Sequence, residues 1–358
     1  MTRNRIGKIL GALGFSAALV YATAAGLTGS PWLGNEAFAQ ASGEIPSGGV
    51  RGLEGNSETW RAVRKGIEGY VSIPDKKAGV LVQSEGDNMR AFRNGPMSTW
   101  GGWGMLAMLV LVALYYLLHG PIKVASGPSG RTIERFNAID RIAHWLTATS
   151  FIILALTGLN VLYGRYVLMP IIGQGAFAEL TYWGKLTHNY IAFAFMVGVI
   201  MIFVLWIKHN LPTMADLKWL AVGGGMFSKG AHPPAYKFNA GQKIVFWATI
   251  IGGGSLVFSG VCLLFPFEFS PWAPTFKILN AFGFSLPTQL SALQETQLSL
   301  LWHGVVALVM IALILGHIYL GTIGMEGALD AVTTGYVDEN WAREHHPLWV
   351  AELKAGGR

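Results

Sequence analysis

LSLLWHGVVALVMIALILGHIYLGTIG, residues 298–324, contains no acidic or basic side chain other than two histidines. About 20 apolar residues in a helix cross a hydrocarbon core about 30 Å thick, so this stretch predicts a membrane-spanning helix. His303 and His317 lie fourteen residues apart within it. At about 100° and about 1.5 Å per residue they return to within about 40° of one face, separated by about 21 Å along the axis. One histidine then stands near each leaflet, both aimed at the same interior. Titratable groups at membrane depth are costly, which makes each one a functional candidate.

Working outward, four more apolar runs occupy residues 100–118, 142–164, 189–207 and 244–267. The composition agrees: 52% of residues are hydrophobic and 13% are charged, about half the charge of a soluble domain. Five such runs cannot be covered as buried helices of a water-soluble protein, because too little polar surface would remain. The net charge of +6 lacks a basic stripe with interleaved aromatics, so nucleic acid is excluded as a partner and lipid is the expected surroundings. Cys262 stands alone inside an apolar run. With no cysteine cluster there is no zinc or iron–sulfur motif, and any metal cofactor must use other ligands.

The basic residues set the orientation. Lys123, Arg131, Arg135 and Arg141 follow the first run, and Lys208, Lys218, Lys229, Lys237 and Lys243 lie between the third and fourth. The opposing loops hold only Arg165, Lys185 and Lys277. The positive-inside rule therefore puts the basic loops and the C-terminus in the cytoplasm. Arg90 and Arg93 oppose this weakly.

Residues 1–39 read as a signal peptide or an uncleaved anchor: Arg3, Arg5 and Lys8 precede an apolar stretch, and Ala37-Phe38-Ala39 offers a cleavage site. Residues 40–99, rich in Gly, Ser and mixed charge, read as a partly extended extracytoplasmic segment that orders against a partner. Residues 100–118 form an extra transmembrane helix, and 131–358 a four-helix domain with a cytoplasmic tail.

Four histidines fall at membrane depth: His144, His188, His303 and His317. His144 opens the second span at its cytoplasmic end and His188 the third at its outer end. By depth they sort into an inner pair, His144 with His317, and an outer pair, His188 with His303. Two imidazoles from facing helices, with room for a porphyrin between them, are the natural axial ligands of a low-spin haem. Such an iron has no open position and shuttles electrons rather than activating oxygen. For any one histidine, helix packing through a hydrogen bond competes with this reading. Gly158, Gly252, Gly253, Gly254 and Gly260 suit close approach of a helix or a macrocycle alike. His209, and His345 with His346 in the tail, are expected to be interfacial and solvated.

From Arg131 onward the chain resembles the gamma subunit, a cytochrome b, of membrane-bound formate dehydrogenase. The strings that carry the resemblance are Phe136-Asn137-Ala138-Ile139-Asp140-Arg141-Ile142-Ala143-His144-Trp145, Lys237-Phe238-Asn239-Ala240-Gly241-Gln242-Lys243, His317-Ile318-Tyr319 and Trp341-Ala342-Arg343-Glu344-His345-His346-Pro347. The N-terminal third departs from that pattern. The resemblance implies an all-α integral membrane protein of the bacterial inner membrane, a di-haem bundle with b-type haems on the two histidine pairs. It implies a quinone site, for menaquinone or ubiquinone, at Asn239, Gly241 and Gln242, which read alone are a polar helix cap. It also implies an iron–sulfur beta subunit and a molybdenum or tungsten alpha subunit as partners. Electrons from formate, oxidised elsewhere, would reach quinone, with protons drawn from the cytoplasm. The same architecture could serve a nickel–iron hydrogenase or a thiosulfate reductase. A haem-free histidine-relay transporter and a plain anchor for a soluble enzyme are the rivals of other classes.

Overall fold

The computed structural model describes residues 84–226 and 232–356. Expectations for residues 1–39, and for 40–83 of the following segment, lie outside the described residues. Within them, five helices are long and apolar enough to cross a membrane, over Asn88–His119, Ala138–Val167, Met169–His209, Ala240–Leu264 and Ala292–Gly324. Only 17% to 28% of each apolar window is buried inside the protein. Leu111, Leu156, Val204 and Val309 stand more than 60% exposed. So large an apolar surface is stable against lipid and not against water.

The first helix begins earlier than its apolar run. Helix α1, Ser84–Phe92, continues through a wide π turn at Arg93–Met97 into α2, Ser98–His119. Pro96 sits inside that turn, where its missing N–H is accommodated by the looser hydrogen bonding. The described part of the segment expected to be extended is thus helical from Ser84. Its polar first turns lack the hydrophobic period that a sequence reading depends on.

Next come β1, Thr132–Glu134, then α3, Ala138–Val167, and α4, Met169–Trp206, interrupted only at Gly173 with φ 79°. These two long helices pack against each other along their length. After the short α5, Met214–Ala221, the fourth span is built from α6, Ala240–Ala248, a π turn at Thr249–Gly253, and α7, Gly254–Leu264. Helix α8, Trp272–Asn280, lies in the following loop. It is held by buried Glu295, which accepts the backbone N–H groups of Trp272 and Ala273 at 2.7 and 2.8 Å. The last span is α9, Ala292–Tyr319, with α2 on one side and α7 on the other.

Beyond α9 the chain folds back. Helix α10, Asp330–Thr333, leads into β2, Tyr336–Asp338, which pairs antiparallel with β1 so that Ile133 faces Val337. Helices α11, Glu339–His345, and α12, Pro347–Ala355, complete a cap over this end of the bundle. Gly335, with φ 91°, turns the chain into β2 where a Cβ would collide with the Phe136 carbonyl; only glycine suits both demands. Trp341, Trp349, Val337, Phe136, Trp206 and Phe238 form the cap's core. The start of α3 is fixed by a capping box between Asn137 and Asp140, and Asp140 also accepts Trp206 Nε1 at 2.7 Å.

The tail is therefore packed rather than solvated. His346 has no exposed surface and its Nδ1 lies 2.7 Å from the Tyr236 carbonyl. The expectation of an interfacial, solvated His346 is corrected by the tryptophan core that closes over it.

Candidate functional site

The four membrane-depth histidines come from three helices. Helix α3 carries His144, α4 carries His188, and α9 carries both His303 and His317. Their rings meet as two pairs. His144 and His317 lie 6.3 Å apart between ring centroids at the cap end. His188 and His303 lie 6.2 Å apart deeper in the bundle. The uninterrupted α9 sets the two pairs about 21 Å apart along its axis.

A metal–imidazole bond of about 2 Å, with about 1.2 Å more to each ring centre, would put two axial imidazoles on one iron about 6.4 Å apart. Both pairs match. Neither α3 nor α4 runs in close contact along α9, so the rings reach across a gap rather than sealing one. Among the described residues no three His, Cys, Asp or Glu side chains are grouped to hold a bare ion. Two nitrogens are what a porphyrin iron leaves for the protein to supply.

The outer pair has a second layer that the sequence reading did not single out. Thr157 Oγ1 stands 2.8 Å from His188 Nδ1, and Ser259 Oγ 2.9 Å from His303 Nδ1. Each hydroxyl has one proton and lies 2.8 Å from a carbonyl one turn back, Ile153 or Ser255. With that proton given to the carbonyl, the hydroxyl accepts from Nδ1–H, which leaves the Nε2 lone pair free for a metal. Gly158 and Gly260, the next residues, lie against the same rings: a Cβ there would stand 3.6 Å from His188 Cε1 and 3.5 Å from His303 Cε1. The signal was present as a hydroxyl–glycine dipeptide repeated in two apolar runs. The inner pair is built differently, since His144 Nδ1 is buried without a partner among the described residues.

The other glycines divide. Gly252 meets Met310 and Gly253 meets Phe195, which is helix packing, while Gly254 faces open space.

A cavity of about 1920 Å³ extends along α2 and α9, past the inner pair, to the cap. His144, His317, Asn239, Gly241, Gln242, Arg135, Trp341 and His345 are on its wall; His188 and His303 are not. Asn239 caps α6, its Oδ1 accepting from Gln242 N at 2.9 Å while Gln242 Oε1 accepts from Asn239 N at 3.1 Å. The capping oxygens are thus committed to the helix end, and the side-chain amide N–H groups are the donors that remain. Gly241 follows Asn239 in the first turn of α6 and lies on the same cavity wall. The Trp219 indole packs against it, 3.0 Å from the position of a Cβ.

The sequence model of the prokaryotic cytochrome b561 family matches residues 135–335. The chain is 31% identical over 224 residues to "Formate dehydrogenase, cytochrome b556(fdo) subunit" of Escherichia coli (strain K12), covering 62% of this chain and 94% of that relative. It is 27% identical over 227 residues to the nitrate-inducible cytochrome b556(Fdn) subunit of the same strain, covering 63% and 93%. The formate dehydrogenase cytochrome b556 subunit of Haemophilus influenzae is 25% identical over 223 residues, covering 62% and 83%.

Proposed function

We propose, for a chain that belongs to the prokaryotic cytochrome b561 family, that it is the membrane-anchoring di-haem cytochrome b subunit of a formate dehydrogenase. The observation that carries this is the pair of histidine pairs, 6.3 and 6.2 Å between ring centroids, on helices that leave a gap. His144 and His317 would hold one b-type haem, and His188 and His303 the other. Bound there, the haems would supply reversible one-electron transfer across the bilayer.

The chain's own residues do the rest. Thr157 and Ser259 orient the outer imidazoles and hold their protons on Nδ1. Asn239 and Gln242 present amide donors suited to a quinone carbonyl at the cavity wall. Basic loops orient the cap toward the bacterial cytoplasm, where protons for quinone reduction are available. An iron–sulfur subunit and a molybdenum or tungsten catalytic subunit would deliver electrons at the opposite side. The formate site belongs to that catalytic subunit.

Purification of the intact complex followed by reduced-minus-oxidised spectroscopy tests the reading. Formate should reduce b-type absorbance at catalytic rates. Reduction by hydrogen with no response to formate would transfer the chain to a hydrogenase, and absence of a b-type band would remove the haem reading altogether.

A further inference from the structure

Arg135 is a buried cation with no anion beside it among the described residues. It is 3% exposed, immediately before α3, and its guanidinium carbon lies 5.4, 5.2 and 5.2 Å from the rings of Phe136, Trp341 and Trp349. Nη2 donates to the Lys237 carbonyl at 2.6 Å and to Gln242 Oε1 at 3.4 Å, while Nη1 has no partner among the described residues. Among the described residues no carboxylate stands within ion-pair distance of it. Burial lowers its pKa to about 9, which still leaves it charged at neutral pH. A desolvated charge with a free donor is expensive unless something completes it.

Two of its neighbours on the cavity wall share the defect. Among the described residues Trp341, 2% exposed, has no acceptor for Nε1, and His345 Nε2 is likewise buried and unpaired. The Trp341 and His345 ring centroids are 5.2 Å apart, so the three groups form one cluster. All three line the cavity that also contains His144 and His317. Glu344 lies on that wall too, but its oxygens accept Ala125 N and Ser126 N, each at 2.8 Å. Lys237 adds a second cation, its Nζ 5.1 Å from the Phe136 ring. This end of the cavity therefore has unpaired polar nitrogens on its wall, with the Lys237 cation beside the Phe136 ring that also lines it.

We propose that Arg135 Nη1, Trp341 Nε1 and His345, in the tautomer with its proton on Nε2, bind a carboxylate, the propionate side chains of the haem held by His144 and His317. The proposal rests on the haem reading above. A guanidinium matches a carboxylate in a planar, charge-assisted contact, which a neutral quinone carbonyl cannot equal. The tryptophan cage around the guanidinium fixes its plane. Cationic charge at the propionates also favours the reduced state, so the cluster acts as a positioning and tuning site for the inner haem.

The test is a redox titration of the purified complex, with the inner haem identified as the one missing from H144A. In R135Q the midpoint of that haem should fall and its retention through purification should drop, with the outer haem unchanged. R135K should recover part of the midpoint, and W341F, which keeps the ring but loses the N–H, should weaken retention alone. A raised KM for quinone in R135Q with an unaltered inner midpoint would assign the cluster to quinone and overturn the proposal. Unaltered midpoint, retention and KM would overturn it as well. Absence of haem from the unsubstituted complex is a separate result, and removes the underlying reading together with it.

Discussion

Ser259 Oγ lies 2.9 Å from His303 Nδ1, and Thr157 stands in the same relation to His188 at 2.8 Å, so both outer histidines are gripped from behind by a hydroxyl. Such partners orient a ligating imidazole and raise its basicity, and their loss costs about 10- to 100-fold in metal affinity. S259A and T157V should each weaken retention of the outer haem by about tenfold and raise its midpoint, because a less basic imidazole stabilises the oxidised iron less. The inner haem should not respond. Spectroscopic titration of the two variants checks this.

Gly198 on α4 is buried against α3, where an added Cβ would meet the Thr147 backbone nitrogen at 3.0 Å and its Cα at 3.1 Å. Backbone cannot yield as a side-chain tip can. G198A should destabilise the α3–α4 contact by about 1–3 kcal/mol, the usual cost of overpacking. A lowered thermal midpoint in detergent is the expected result. G254A, whose Cβ meets nothing within 4 Å, should leave the midpoint unchanged.

Acid should loosen the cap. Burial, then the Arg135 charge, hold His346 well below its ordinary value of 6.5. The unfolded tail therefore takes up protons that the folded one refuses, so this contribution is present above 6.5 and lost as pH falls below it. Burial raises Glu344, but the N–H groups of Ser126 and Ala125 prevail and bring it below its ordinary 4.5. Its contribution is present above 4.5 and lost as pH falls through the lower folded value. Tryptophan fluorescence and proteolysis of the tail should report a first loss of protection beginning below pH 6.5. H346N keeps a donor for the Tyr236 carbonyl without the titration and should flatten that first phase.

The spans and the histidine partners could be read without coordinates because both follow from one helical period and from the absence of charge in apolar runs. His303 and His317 share a face by arithmetic alone. The cap was illegible for a different reason. Its ribbon joins Ile133 to Val337 across two hundred residues, and its core holds Arg135 and His346, residue types that composition assigns to water. The early start of α1 was hidden by its polar surface, and Trp219 behind Gly241 is a contact between elements that no local pattern announces.

Asn239 can be divided into its two roles. N239D keeps an oxygen for Gln242 N, and Asp is as good a cap as Asn, so α6 should stay intact. The amide donor is lost. On the proposed reading the KM for quinone should rise about tenfold, as for one lost hydrogen bond of about 1.4 kcal/mol. N239A should add a loss of about 1 kcal/mol in stability. Steady-state kinetics beside thermal melting separates the two.

On the proposed function His144 with His317 holds one haem, and His188 with His303 the other. Reduced-minus-oxidised spectra with haem quantitation on the four single alanine variants test it most directly. H144A and H317A should lose the same component, H188A and H303A should lose the other, and every variant should keep one. Loss of different components within a pair, or full b-type absorbance in all four, would contradict it.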